Sequence, residues 1–316
     1  MNILIETGDH PRIEVTHSKN AITFFDLSLC EAILNQETSN QTRRDILKAF
    51  IDSIADQDEY SENNINHLAH WHGLHLLMND KNFSDNDVAS HTLELFQKLS
   101  QSRAHRIQIL INLKPQTDSK ITQQNFFVTL TKCLDSSCVT IRKMALSLML
   151  NFTLVIPAYE KNFIGNIPTI FTKLSKFIDQ CDEQQKIHAI QLLIELIPES
   201  NVACVILQSV SNIGSHLSTL LDSTNQELLE KTLILISQLT CSQHFLSRLK
   251  ESELSHKKIK DLQLTYQSKS DVITCHASQL IVRFGNPIFI DPSNHSHRIK
   301  DINNTSSPLK RKWSPS

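Results

Sequence analysis

Residues 67–78 read HLAHWHGLHLLM and set His67, His70, His72 and His75 within nine positions. Imidazole is the commonest side-chain ligand for zinc and copper, and His67/His70 and His72/His75 are i, i+3 pairs able to share a helix face. At about 100° per residue on a helix, however, the four project near 0°, 300°, 140° and 80°, so one ion does not reach them all. No carboxylate or cysteine joins them at a ligand spacing, and H-E-x-x-H is absent. A metal-binding protein built on His67–His75 therefore stands behind the plainer reading, in which these are polar positions of a partly exposed helix. Two calcium-loop look-alikes also fail. After Asp56, Asp58 and Tyr60 come Ser61 and His67 where the loop needs Gly and Glu. After Asp80, Asn82 and Ser84 come Asp85 and His91. The nucleophile elbow, the phosphate-binding loop and the dinucleotide fingerprint are all missing. The expectation is a non-enzymatic protein with no catalytic residues, no metal and no cofactor.

Composition favours helix for the elements that carry these side chains. Only five glycines occur, Gly8, Gly73, Gly165, Gly214 and Gly285, which removes most hairpin turns and phosphate-cradling loops. The 40% hydrophobic content is enough for a substantial core. Seven scattered cysteines without C-x-x-C behave as small apolar residues. The segment MNILIETGDHPRIEV lacks a basic and then apolar leader pattern, and no run of about 18 apolar residues occurs, so the chain reads as intracellular with no membrane partner.

Alternation in 3–7 and 12–16 around Gly8-Asp9-His10-Pro11 predicts a short hairpin. From about Phe24 the period becomes helical, as in 43–55, 87–100, 106–113 and 125–134. Between these runs stand breaks rich in Ser, Asp and Asn at 84–87, 135–137, 198–201 and 222–225, each a candidate helix cap. Small or short residues then open apolar runs at Ala145, Ala189, Thr232 and Ala277, spaced 44, 43 and 45 apart. A period of about 40–47 residues is that of two- or three-helix units stacked on one another. The small residue marks a close approach of helix axes. Core positions follow at +3 and +4: Leu148/Met149, Leu192/Leu193, Leu235/Ile236 and Leu280/Ile281. Gly73, with Leu76 and Leu77, fits the same pattern and makes the histidine stretch another core helix.

With these units in view the chain resembles the armadillo/HEAT-type helical repeats. ALSLMLNFT (145–153) is similar to the armadillo third helix, and 212–240 resembles a fuller unit. The resemblance implies an all-α solenoid, right-handed, that displays a protein-binding surface. It covers 25–285 as architecture and is distinctive from 123 onward. In the importin-α and β-catenin branches, an Asn six residues after the small one holds a peptide backbone. Here that position is Asn151, and Asn79 if Gly73 is in frame, followed by Glu195, Gln238 and Arg283, so the Asn ladder is broken. Asn151, Glu195, Gln238 and Arg283 are the expected partner contacts.

The chain divides on this reading into an extension with a hairpin cap (1–23), a repeat domain (24–285) and a basic tail (286–316) expected to be disordered. The tail carries Arg298, Lys300, Lys310, Arg311 and Lys312 against Asp291 and Asp301, so a formal charge of −2 for the whole chain leaves −5 on the rest. An acidic body argues against a nucleic-acid-binding core. The two basic clusters resemble a bipartite nuclear localisation signal, which implies an import receptor as partner and the nucleus, with the cytoplasm as a second compartment. Ser307 and Ser314, each before Pro, resemble proline-directed phosphorylation sites whose phosphates would offset the basic triplet. The leading expectation is a scaffold subunit of a nuclear complex, in chromatin remodelling or transcription, that reaches nucleic acid only indirectly. The second is a direct nucleic-acid binder using Arg248, Lys250, Lys257, Lys258 and Lys260 with the tail.

Overall fold

The computed structural model describes residues 2–5, 13–18, 21–22, 30–31, 34, 38–54, 59–71, 74–78, 82–113, 119–167, 169–197, 213–241, 246 and 256–285. The chain forms two compact units, Met1–Ile213 and Gly214–Ser316. The tail, with Arg298, Lys300, Ser307, Lys310, Arg311, Lys312 and Ser314, lies outside the described residues, as do His72, Gly73 and Asn79.

The alternating N-terminal runs do pair. Strands β1 (Asn2–Ile5) and β2 (Ile13–Ser18) are antiparallel, with Ile3 opposite Val15. A short β3 (Ala21–Ile22) adds to β2, which gives a three-stranded sheet in place of a simple hairpin.

Among the described residues, helices of the first unit are α1 (Asn40–Ser53), α2 (Glu59–Ala69), α3 (Leu74–Leu77), α4 (Asn86–Leu99), α5 (Arg103–Asn112), α6 (Ser119–Cys133), α7 (Val139–Thr153), α8 (Ala158–Gly165), α9 (Ile170–Gln180) and α10 (Glu183–Leu196). The second unit holds α11 (Ile213–Leu220, all but its first residue), α12 (Gln226–Leu239), α13 (His256–Tyr266) and α14 (Asp271–Gly285). None of the described helices is long and apolar enough to cross a membrane.

Four long helices of the first unit pack in series, α1 on α4, α4 on α7 and α7 on α10; in the second, α14 packs on both α12 and α13. Their starts are set by side chains that satisfy otherwise unpaired amides. Ser39 accepts from the Thr42 amide, Asp85 from Asp87 and Val88, Asp182 from Gln185, and Asn225 from Leu228. In α7 the capping position is Cys138, which makes no such side-chain bond. Counted from the cap, the seventh residue is Ala145, Ala189 and Thr232 in α7, α10 and α12, all 0% exposed. Ala277 in α14 follows Ser270 by the same interval and is equally buried.

The same count corrects the expectation for Gly73. In the second long helix, α4, the seventh residue after Asp85 is Thr92, fully buried, and the long core helix is 86–99. The histidine stretch instead ends α2 at Ala69, passes through buried Trp71 and enters the four-residue α3. Periodicity misleads there because Leu74 and Leu77 are as buried as any long-helix leucine, although they belong to a short connecting helix. Thr92 and Ala145 are 53 residues apart, which breaks the regular period.

Aromatic rings join neighbouring long helices in the first unit. Phe126 of α6 meets Phe96 of α4 at 5.7 Å and Phe152 of α7 at 5.0 Å, the latter edge to face. Phe50 of α1 meets Trp71 at 5.6 Å. Such pairs add about 1 kcal/mol each beyond the area they bury.

Candidate functional site

The thirteenth residue after each cap recurs at one position of the long helices, which makes a row within each unit. In the first unit these are Asp52, Lys98, Asn151 and Glu195; in the second, Gln238 and Arg283. Lys98 and Asp52 enter because the frame passes through Thr92 and Ile46, and Asn79 drops out. Asp52 is exposed, and the other five are half-buried. Each of those five sits one residue before a buried apolar side chain, namely Leu99, Phe152, Leu196, Leu239 or Phe284, and so borders the core, whereas Asp52 precedes half-buried Ser53.

These residues differ in how firmly they are already held. Glu195 takes an ion pair from Lys161 of α8 at 2.5 Å, with both side chains less than a quarter exposed, and accepts from Gln191 at 3.1 Å. Arg283 donates to the Ser237 carbonyl and to Thr240 Oγ1, closing the end of α12. Gln238 is less settled, since its Oε1 is buried without a hydrogen-bond partner; Gln191 Oε1 is in the same state. A buried unpaired acceptor costs about 1–3 kcal/mol, so a backbone amide brought to either would be stabilising.

A second set of contacts went unseen in the sequence. Lys173 of α9 donates to the Thr131 carbonyl at 2.9 Å and pairs with Asp135 at 2.8 Å. Lys258 of α13 does the same to the Ser218 carbonyl at 2.6 Å and Asp222 at 2.8 Å. Thr131 and Ser218 both stand seven residues before a long-helix cap, and Asp135 and Asp222 stand three before it. Each lysine thus neutralises the carbonyl end of a helix one repeat earlier, where the macrodipole favours a cation. In α4's repeat the residue three before the cap is Asn82, which accepts from buried Arg43 and donates to the carbonyls of Leu76 and Leu77. The signal was present as Leu-Asp-Ser at 134–136 and 221–223.

Asp182 reaches back to α7 through Lys143 at 2.7 Å, and that bond, with the Gln185 amide, holds its carboxyl below the usual range. Asp85 is depressed by the Val88 amide first. Arg142 donates to the Ser136 carbonyl at 2.6 Å. Lys258, Arg142 and Lys143 are therefore all engaged within the fold. Of the basic stretch 248–260, residues 248–255 lie outside the described residues, leaving Lys257 and Lys260 exposed.

Of the four histidines in the stretch, His72 lies outside the described residues. His70 Nδ1 lies 2.7 Å from the Asn66 carbonyl, and His105 of α5, absent from the sequence-based candidates, lies 2.8 Å from Asn66 Oδ1 through Nε2. Burial, then the neighbouring His70, lowers the His105 pKa. Among the described residues no three His, Cys, Asp or Glu side chains come together as a metal would require. A pocket of about 400 Å³ opens between the start of α4 and the α6–α7 turn, lined by Asn86, Ala89, Lys132, Asp135 and Ser136 among others.

No protein-family model and no curated protein matches the chain. Solved structures do. A designed armadillo repeat protein superposes with a TM-score of 0.57 at 14% identity, covering 82% of this chain and 100% of its own. Another, in complex with the peptide (KR)4, gives 0.57 at 15% identity over 82% and 99%. UNC-45 from Drosophila melanogaster gives 0.59 at 13% identity, over 88% of this chain and 32% of its own. The fold is thus of the armadillo-like helical-repeat type.

Proposed function

From that fold as premise, we propose that the chain is a non-enzymatic scaffold subunit of a nuclear multiprotein complex, and that partner segments dock along the long-helix row within each unit. The observation that carries the reading is the row itself. In each unit half-buried polar side chains border the buried core at one repeated position, and in the second unit Gln238 Oε1 is a buried acceptor left unpaired. A docked extended segment supplies the backbone amide such an acceptor lacks.

Chemistry of the row narrows the partner. One similar designed protein binds the strictly basic peptide (KR)4. Here Asp52, Lys98 and Asn151 mix both signs with a neutral amide, and Glu195 is already paired to Lys161. The matching segment is therefore of mixed charge, held more by backbone hydrogen bonds than by net attraction. Import through Arg298, Lys300, Lys310, Arg311 and Lys312, tuned by phosphate on Ser307 and Ser314, supplies the nuclear part of the reading. Chromatin remodelling or transcription is one concrete form of this reading.

The test is mass spectrometry of proteins that co-purify with the endogenously tagged full chain, beside a Lys98→Ala/Asn151→Ala variant. A stoichiometric set of nuclear proteins that survives high salt with the parent chain and is lost from the variant supports the reading. Recovery of import receptors alone, or of nucleic acid released by salt, removes it.

A further inference from the structure

The seam between α4 and α7 lacks a side chain that the seam before it contains. Four residues after its cap, α1 has Arg43, which crosses to the turn preceding α4 and donates to Asn82 Oδ1. Asn82 stands three residues before the α4 cap, and Arg43 is only 3% exposed there. The next seam follows the same frame, since α4 packs on α7 as α1 packs on α4. Four residues after the α4 cap, however, comes Ala89, and three before the α7 cap comes Asp135. Both line the pocket of about 400 Å³. The pocket thus opens where a buried arginine lies one repeat earlier, and its volume is within the range of ligand sites. Nor does α7 fill it: Arg142, at the position of Arg43 in that helix, turns back onto the carbonyls of Ser136 and Ser137 at 2.6 and 3.1 Å.

We propose that this pocket receives an arginine side chain from a partner protein, with the guanidinium on Asp135 and the methylene stem against Phe83, Ala89 and Ile141. Three arguments select this occupant. The walls suit the stem, because Ala89 and Ile141 are buried and Phe83 half-buried, and an arginine lays its methylenes along such apolar surface. The acceptor suits the head. Asp135 gives Oδ2 to Lys173 at 2.8 Å, which leaves Oδ1, and a carboxylate oxygen holds a guanidinium more strongly than the Asn82 amide that holds Arg43. The surroundings admit a cation. Asp135 and Asp85, the latter between lining residues Ser84 and Asn86, offset Lys173 and the exposed Lys132 on the rim, so an entering arginine meets no net charge of its own sign. The pocket lies at the capped ends of α4 and α7 and shares no residue with the long-helix row, so either surface can fail without the other.

The experiment follows the methyl resonances of Ala89 and Ile141 in the full chain during titration with the blocked tripeptide Gly-Arg-Gly. The proposal expects saturable shifts at both methyls. Binding should be about tenfold weaker when citrulline, the neutral isostere, replaces the arginine, the loss expected when a charge-assisted hydrogen bond becomes a neutral one. Asp135→Asn, at a half-exposed turn position, should weaken the arginine peptide by a similar factor. Ala89→Arg should fill the pocket from within, as Arg43 fills the preceding seam, and abolish the shift at Ile141. If Ala89→Arg does not fold, Asp135→Asn decides. Absence of saturable shifts at the two methyls overturns the proposal, as do equal affinities for the arginine and citrulline peptides or unchanged affinity in Asp135→Asn. Tighter binding of the matching glutamate peptide also overturns it, and assigns the pocket to an acidic partner through Lys132.

Discussion

Helices α7 and α14 are built to one frame yet end up in different surroundings. Both place a buried alanine seven residues after the cap and buried leucines further along, Leu148 in one and Leu280 in the other. Beyond that shared stripe, α7 is apolar on a second side, at Leu146 and Leu150, while α14 turns to Ser278 and Val282. The first stripe holds a repeat together. The second stripe is closed in α7 and open in α14, so the two helices differ in how much of their surface the described fold covers.

The largest expected effect breaks that comparison directly. Leu146→Ala should destabilise the protein by about 2–5 kcal/mol, the cost of a cavity in a closed core. Val282→Ala should cost less than about 1 kcal/mol, because most of the side chain is already exposed. Urea unfolding of the two variants reads the difference.

Next come the lysine clamps. Lys173→Met should cost about 1–2 kcal/mol, since the charge-assisted bond to the Thr131 carbonyl is largely shielded while Asp135 is half exposed. Chemical unfolding at low and high salt separates the two: the part due to Asp135 shrinks with salt, and the part due to the carbonyl does not.

Caps give a smaller effect of opposite sign in the two units. Asn225→Ala should destabilise by about 1 kcal/mol, whereas Cys138→Ser should stabilise by roughly 0.5–1 kcal/mol by giving α7 the side-chain cap it lacks. Thermal melts of both variants check this.

The smallest effect is with pH. The carboxyls of Asp182 and Asp85 titrate lower in the fold than in the unfolded chain. Their contribution is complete above the unfolded value of about 4 and declines as pH falls from there through the depressed folded values. Asp182→Asn should flatten the decline in unfolding free energy measured between pH 5 and pH 3.

The frame from Ala145 to Ala277 was legible because a small residue and spaced leucines recur wherever one long helix lies on another. It failed at Gly73 for a physical reason. Short α3 buries leucines as thoroughly as a long helix does, and the true counterpart, Thr92, is 53 residues from Ala145. The frame named Asn151, Glu195, Gln238 and Arg283 as expected contacts but not that Glu195 and Arg283 are held by Lys161 and by Ser237 with Thr240. A lysine such as Lys173 reads as a solvated charge when its acceptor is 42 residues away. Only the fold brings the two together.

The most direct test of partner docking on the long-helix row is site-specific photo-crosslinking in cells. A photoreactive side chain is placed at Asn151 on α7 and, separately, at Lys176, exposed on α9. The row predicts that a defined partner protein crosslinks from position 151 and not from 176. Crosslinks from 176 alone, or the same products from both positions, would contradict it.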